Sequence, residues 1–245
     1  MRSTLAVTMA ALAVLAAGCQ STTDDTKTAA PAPTSAAPSK PAGNGLAALT
    51  ADEILKKAKT ALGAAGSFRV KGNTIEDGEK LAVDIKVSGK NIVGSLVTGK
   101  AKVELLAVGG KQYIRPNEAF WTVSGAGKQA HTVAQVVGTR WVKVTPGDKD
   151  LSDLFSLGEP DTLLDPDGTL TKGTEKVIAG VPAIGLVDAG KPGGILWIAT
   201  TGEPLPLKLD GKDGSNATFS EFGKKFTDIK QPAAADVFDM ASLGK

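Results

Sequence analysis

"KLAVDIKVSGKNIVGSLVTGKAKVELLAVGGKQYIRP", residues 80–116, decides the fold. Its first eight residues set Leu81, Val83, Ile85 and Val87 against Lys80, Ala82, Asp84 and Lys86. That period of two places one set on each face of a strand. The turn residues Ser88 to Asn91 lead into "IVGSLVTG", and a third run follows with Val103 and Leu105 set against Lys102 and Glu104. Gly109-Gly110 and Pro116-Asn117 then bracket a strand around Tyr113. Runs separated by such short turn signals pair as consecutive hairpins, so the stretch reads as an antiparallel meander with one apolar face that must be covered.

A cover lies just upstream. "LTADEILKKAKTALGAAG", residues 49–66, has Thr50 as N-cap with Glu53 three residues on, then Ile54, Leu55, Ala58, Ala61, Leu62 and Ala65 at helical spacing, closed by Gly66. It predicts one amphipathic helix with a single apolar stripe. Downstream, Trp141–Val144, Ile195–Thr200, Leu205–Leu209 and Thr218–Phe222 bring the total to roughly eight to ten short strands. Between them, "DKDLSDLFSLGEPDTLLDP" places Leu151, Leu154, Phe155 and Leu157 at helical spacing, a helical insertion of one or two short elements. The sum is α+β: a helix, an antiparallel meander, a helical insertion, and strands to the end.

The termini of the pattern say where the protein works. Leu5 to Ala17 form an apolar run of thirteen residues after Arg2, too short to span a hydrocarbon core of ~30 Å at 1.5 Å per residue, and so a secretory leader over residues 1–18. It ends at Leu15-Ala16-Ala17-Gly18-Cys19, and Cys19 is the chain's single cysteine. One thiol cannot make an internal disulfide. This segment resembles the lipobox of bacterial lipoproteins, with Ala16 where leucine is usual; the resemblance implies that Cys19 is diacylated and becomes the mature N-terminus. Residues 20–47 are Ser, Thr, Ala and Pro with almost no large apolar side chain, a composition that cannot offset its ordering entropy. They read as a disordered tether with an r.m.s. reach of ~30 Å, and the folded domain is expected over 48–245. The expected location is outside the cytoplasm, on the cell membrane.

Charge and motif argue against other classes. The formal charge is +2, and Arg69, Arg115 and Arg140 are the only arginines besides Arg2. No nucleic-acid footprint results. His131 is the only histidine, and Ser124, the nearest serine, is not in a nucleophile elbow. One His and a lipidated Cys cannot build an N/S zinc site. "DPDG", residues 165–168, lacks the carboxylates a calcium loop needs at its first and twelfth positions, and reads as a turn. No phosphate loop or dinucleotide fingerprint is present. The expectation is therefore no catalytic residues, no metal and no cofactor.

The order of "GSFRVKG", "GGKQYIRPNEAFW", "LLDPDGTL", "GVPAIGLVD", "ILWIATTGEPLPLKL" and "FSEFGKKFTDIKQP" along the chain resembles the LolA/LolB-like superfamily, and within it the actinobacterial LppX/LprAFG-type lipoproteins. The resemblance implies a half-barrel of about eleven strands, a curved antiparallel sheet whose concave face is covered by helices over an apolar cavity for acyl chains. The implied activity is carriage of lipids or lipoproteins in the cell envelope, with a lipid or acylated ligand and an envelope transporter or other protein as partners. The alternative is a regulatory or scaffolding lipoprotein that uses the same fold to sense lipid or bind a protein.

A carrier needs walls that replace hydrocarbon: each CH₂ withdrawn from a bilayer costs ~0.8 kcal/mol, about 12 kcal/mol for a sixteen-carbon chain. Strand parity nominates Leu81, Val83, Ile85, Val87, Val103 and Leu105 as cavity-lining residues, with Ile195, Trp197 and Leu207 in the later strands. The expectation is a channel at Ile85, so that a tryptophan there costs little stability and displaces bound acyl chain. A filled core would lose stability instead.

Overall fold

The computed structural model describes residues 42–239 apart from 146. Eleven of the strands follow one another as antiparallel neighbours in two runs. The first run is β1 (Ser67–Glu76), β2 (Glu79–Ser88), β3 (Asn91–Thr98), β4 (Ala101–Val108), β5 (Lys111–Pro116) and β6 (Trp141–Lys143). The second is β7 (Leu170–Ile178), β8 (Val181–Asp188), β9 (Gly194–Ala199), β10 (Pro206–Gly211) and β11 (Asn216–Ser220). β11 closes back onto β1, and β12 (Val237–Phe238) adds to β6 in parallel. One twelve-stranded sheet results, in the order β12-β6-β5-β4-β3-β2-β1-β11-β10-β9-β8-β7, curved and not closed.

Helix α1 (Ala51–Ala64) begins at the reciprocal Thr50–Glu53 capping box expected from the sequence. The backbone N–H of Thr50 donates to Glu53 Oε2 at 2.8 Å. That bond, above all, holds the Glu53 carboxyl below its usual range. Ile54, Leu55, Ala58 and Leu62 form the buried stripe. They share one continuous buried cluster with Phe68, Val70, Ile85, Val87, Val103, Leu105 and Ile114. The register explains the cluster: Val83 pairs with Leu96 and Leu96 with Val103, while Ile85 pairs with Gly94 and Gly94 with Leu105. Side chains in line across the ladder lie on one face, here the helix-covered face.

The opposite, outer face is ionic. Arg69 Nε and Nη2 donate to the two carboxylate oxygens of Asp84 at 2.8 and 2.7 Å, and Nη1 donates to Glu221 Oε1 at 3.1 Å. Arg115 and Lys102 meet Glu104. Lys80, Asp84, Lys86, Lys102 and Glu104, which the sequence assigned to the wet face, are all on this side. It is not simply solvated, because the chain returns over it. Residues 224–236 run across β2 to β5, tied by Lys86 Nζ to Asp228 Oδ2 at 2.7 Å and by Gln231 Nε2 to the Tyr113 hydroxyl. Leu106 and Tyr113 are thereby buried on the outer side.

Several elements depart from the sequence reading. β7 was not expected, since its polar edge sequence LTKGTEKVI has no apolar alternation; β12 has only two residues. Helices α2 (Glu118–Trp121) and α3 (Ala130–Val137) are not among the elements expected from the sequence; Gly125 (φ 97°) and Gly127 (φ 51°) break the segment between them. The insertion does form, as α4 (Lys149–Asp153), capped by Asp148, then a 3₁₀ turn over Ser156–Gly158 and α5 (Pro160–Leu163). The domain boundary at 48 is corrected: Asn44 Nδ2 donates to the carbonyls of Ala199 and Gly202, both at 3.0 Å, and Leu46 is 2% exposed. The leader, Cys19 and the tether up to residue 41 lie outside the described residues.

Two outcomes are expected. Ile85 is 1% exposed in the filled centre, so Ile85→Trp should cost ~1–3 kcal/mol in a denaturant melt; a neutral result would show a channel there instead. The Arg69 guanidinium holds the Asp84 carboxyl below its usual range, so this group stabilises the fold above the unfolded carboxylate's pKa of ~4 and loses that contribution as pH falls through the lowered folded value. The stability gap between wild type and Asp84→Asn should therefore narrow below pH ~4. An unchanged gap at acid pH would contradict the assignment.

Candidate functional site

The centre of the helix-covered face is filled, and space opens at its ends. At the end where β1 runs out, a cavity of about 300 Å³ lies beneath residues 163–170 and beside Leu55 of α1. Its apolar wall includes Leu55, Leu163, Leu164, Leu170, Leu186, Leu196 and Leu209. Leucine at these positions follows from register: Leu186 pairs with Leu196, and Leu196 with Leu209. The three stand in a row on the helix-covered face. Asp165, Asp167, Asp188 and Asp213 are also among the lining residues, all but Asp188 exposed to solvent as well. Its volume is at the lower end of ligand sites, ~300–1,000 Å³, suited to one chain rather than several.

At the opposite end, near the β2–β3 turn, a space of about 680 Å³ lies under the insertion. Ile92, Ala107 and Phe155 give it an apolar floor, but Lys90, Gln112 and Glu159 are among its walls. Gly158 lets the insertion lie close here, since a Cβ would sit 2.4 Å from Ile92 Cδ1. Two shallower spaces of about 300 and 460 Å³ flank residues 224–236 on the outer face, sharing Arg115, Trp141 and Asp228. Three of their cations are already paired: Arg69 with Asp84 and Glu221, Lys86 with Asp228, Arg115 with Glu104.

The insertion reaches from one end space to the other, and α1 fastens it. Lys59 Nζ stands 3.5 Å from Asp161 Oδ1 and 3.6 Å from Asp165 Oδ1, and donates to the Asp161 carbonyl at 3.4 Å. Asp161 lines the larger space and Asp165 the leucine-walled one. One ammonium thus holds the roof of both.

The nominated residues divide by strand. Ile85, Val87, Val103 and Leu105 are buried in the filled cluster, and Leu81 and Val83 pack against it half-buried. None of the six lines the leucine-walled cavity. Ile195 and Trp197 are corrected: they point to the outer face, where Trp197 Nε1 donates to Asp210 Oδ2 at 3.0 Å and Lys176 Nζ lies 5.5 Å from its ring centroid. Their neighbours Leu196 and Ile198 face the helices instead. Leu207 falls at the register shift between Pro206 and Lys208, half-buried and outside the cluster. The signal that could have found the wall is the pairing of "AIGLVD" with "ILWIA", which aligns leucine on leucine.

His131 lies exposed on α3 with Nδ1 3.0 Å from Glu118 Oε1 and Nε2 2.9 Å from Gln135 Nε2. The Ser124 hydroxyl donates to the Trp121 carbonyl. Among the described residues no group of three or more His, Cys, Asp or Glu could hold a metal ion, and no helix is long and apolar enough to cross a membrane.

No protein-family model and no curated protein matches the chain. Solved structures do. LprF from Mycobacterium bovis is similar at 18% identity, covering 75% of this chain and 97% of its own, with a TM-score of 0.48. The Mycobacterium tuberculosis lipoprotein LppX is similar at 16% identity over 72% of this chain and 98% of its own, TM-score 0.45. The Pseudomonas aeruginosa MucA/MucB complex contains a chain similar at 19% identity, covering 76% of this chain and 62% of its own, TM-score 0.38.

The fastening by Lys59 is testable by amide exchange. Asp161 and Asp165 side chains are 89% and 76% exposed, so the pairs are worth at most ~1 kcal/mol. Lys59→Met keeps the stem and removes the ammonium. The amides of Leu163 and Leu164 should exchange up to about fivefold faster while those of β2 do not change. Unaltered exchange in α5 would show that the roof is held by packing alone.

Proposed function

We propose that the protein is an extracytoplasmic lipoprotein, anchored to the cell membrane through acylated Cys19, that binds an aliphatic chain in the leucine-walled cavity and carries or chaperones lipid in the envelope. The observation that supports this reading most is the wall itself. Seven leucines from α1, α5 and the loop after it, β7, β8, β9 and β10 converge on one cavity of about 300 Å³, although the centre of the face is filled. Side chains of that kind substitute for hydrocarbon, and each CH₂ they shelter contributes ~0.8 kcal/mol.

The position of the wall supports delivery as well as storage. The cavity lies at an end of the sheet, so a chain entering it does not have to part α1 from the core. Its roof is loop and short helix, fastened by exposed ion pairs, and such segments open at low cost. Near residue 44 the chain is tied to the β9–β10 turn, so the proposed tether starts from the half of the sheet that builds the cavity.

Two measurements test this. Nile red, an uncharged apolar dye, should bind the exported full chain carrying Cys19→Ala and be displaced by 1-monododecanoylglycerol. Leu209→Trp, which fills the cavity, should weaken both by at least about tenfold with little loss of melting temperature. Binding unaffected by that substitution would place the ligand elsewhere, and absence of any binding would leave the regulatory, partner-binding reading. Separately, Cys19→Ala should move the protein from the membrane to the soluble fraction, whereas a salt wash should not release the wild type.

A further inference from the structure

The polar part of the cavity lining has one sign. Asp165, Asp167, Asp188 and Asp213 contribute to it, and neither lysine nor arginine does. Two ammonium groups stand nearby. Lys59 pairs with Asp165, and Lys212 Nζ donates to the Asp188 carbonyl at 3.4 Å. Asp167 and Asp213 have no ion-pair partner among the described residues.

Two of these carboxylates, Asp188 and Asp213, are held in place by hydrogen bonds. Asp188 Oδ2 accepts from the Asp167 backbone N–H and Oδ1 from that of Gly190, both at 2.8 Å. That clamp draws the 165–168 turn onto the start of the β8–β9 connection so tightly that Gly168 and Gly190 meet backbone to backbone, with no room for a Cβ on either. Asp213 accepts the Ser215 backbone N–H and hydroxyl, both at 2.9 Å. The backbone bond, chiefly, holds its carboxyl below the usual range, so it is ionised at neutral pH. An apolar wall with a fixed anionic lining is complementary to one kind of amphiphile.

We propose that the cavity selects single-chain amphiphiles with a cationic head, a protonated amine or quaternary ammonium, over those with a carboxylate or phosphate head, and that Asp167 and Asp213 are the residues that discriminate. The inference rests on the reading of this cavity as an aliphatic-chain site. The leucine wall takes the tail of any such ligand equally. Discrimination arises at the head, where an anion would be brought beside two carboxylates that no lysine pairs with, and a cation would complete the pairing.

The test uses the full chain carrying Cys19→Ala, pH 7 and low salt, with Nile red displaced by three ligands of equal chain length: dodecylamine, 1-monododecanoylglycerol and dodecanoate. The expected order is amine, then glyceride, then carboxylate, with at least about tenfold between the first and last, shrinking as salt is raised to 0.5 M. In Asp167→Asn/Asp213→Asn the three should fall within about threefold, with the glyceride unmoved; in Asp167→Glu/Asp213→Glu, which keeps the charge, the order should return. Equal affinities in the wild type, or a preference that survives the double asparagine variant, would overturn the inference while leaving the cavity reading intact. Failure of all three ligands to displace the dye would instead overturn the cavity reading, and this inference with it.

Discussion

The packing of one helix stripe on one row of strand residues is the contact on which the rest of the structure depends. A twelve-stranded open sheet presents two faces, and this chain has too little helix to cover either completely. Ile54, Leu55, Ala58 and Leu62 of α1 join Phe68, Val70, Ile85 and Leu105 in a single buried cluster, which fixes the strand parity of β1 to β4 because a slip of one residue would present Lys80, Asp84 and Lys86 to the helix. With that face settled, the outer face has to carry the charges. The Arg69–Asp84–Glu221 and Arg115–Glu104–Lys102 groups are the consequence.

The same contact also decides where space remains. α1 covers the middle of the sheet, and the insertion lies along it, fastened by Lys59. Both thin out at the end where β1, β8 and β10 terminate and β9 begins. There the register still delivers leucines to the helix-covered face, and only residues 163–170 and Leu55 roof them. Leu55 belongs both to the packed cluster and to the cavity wall, so the filled core passes directly into the proposed site. A cavity at the edge of a rigid core combines fixed walls with a roof of low local stability, the combination a chain-binding site requires.

How much of this was legible in the sequence depended on contrast between faces. From Leu81 to Val87 in β2 every inward residue is aliphatic, and the outward ones of the strand include Lys80, Asp84 and Lys86, so parity could be read directly. In β9, "ILWIA" is apolar on both faces because the outward Trp197 is sheltered by Asp210 and Lys176. No period of two survives there, and counting placed Ile195 and Trp197 on the wrong side. Edge strands failed for the converse reason: β7 is polar on both faces. The cavity was legible as a need for aliphatic walls but not as a place, since its wall joins residues from Leu55 to Leu209 that only the sheet order brings together. Leu106 and Tyr113, apolar on an otherwise ionic face, were the one sequence signal that something returns to cover them. The covering segment is 224–236.

The central claim is that an aliphatic chain occupies the leucine-walled cavity and not the filled centre or the outer face. It is tested most directly by a crystal structure with a single-chain glyceride brominated at its terminal carbon, located by anomalous scattering. The account predicts one bromine peak among Leu186, Leu196 and Leu209. A peak beside Trp141 on the outer face, or no ordered bromine at saturating ligand, would contradict it.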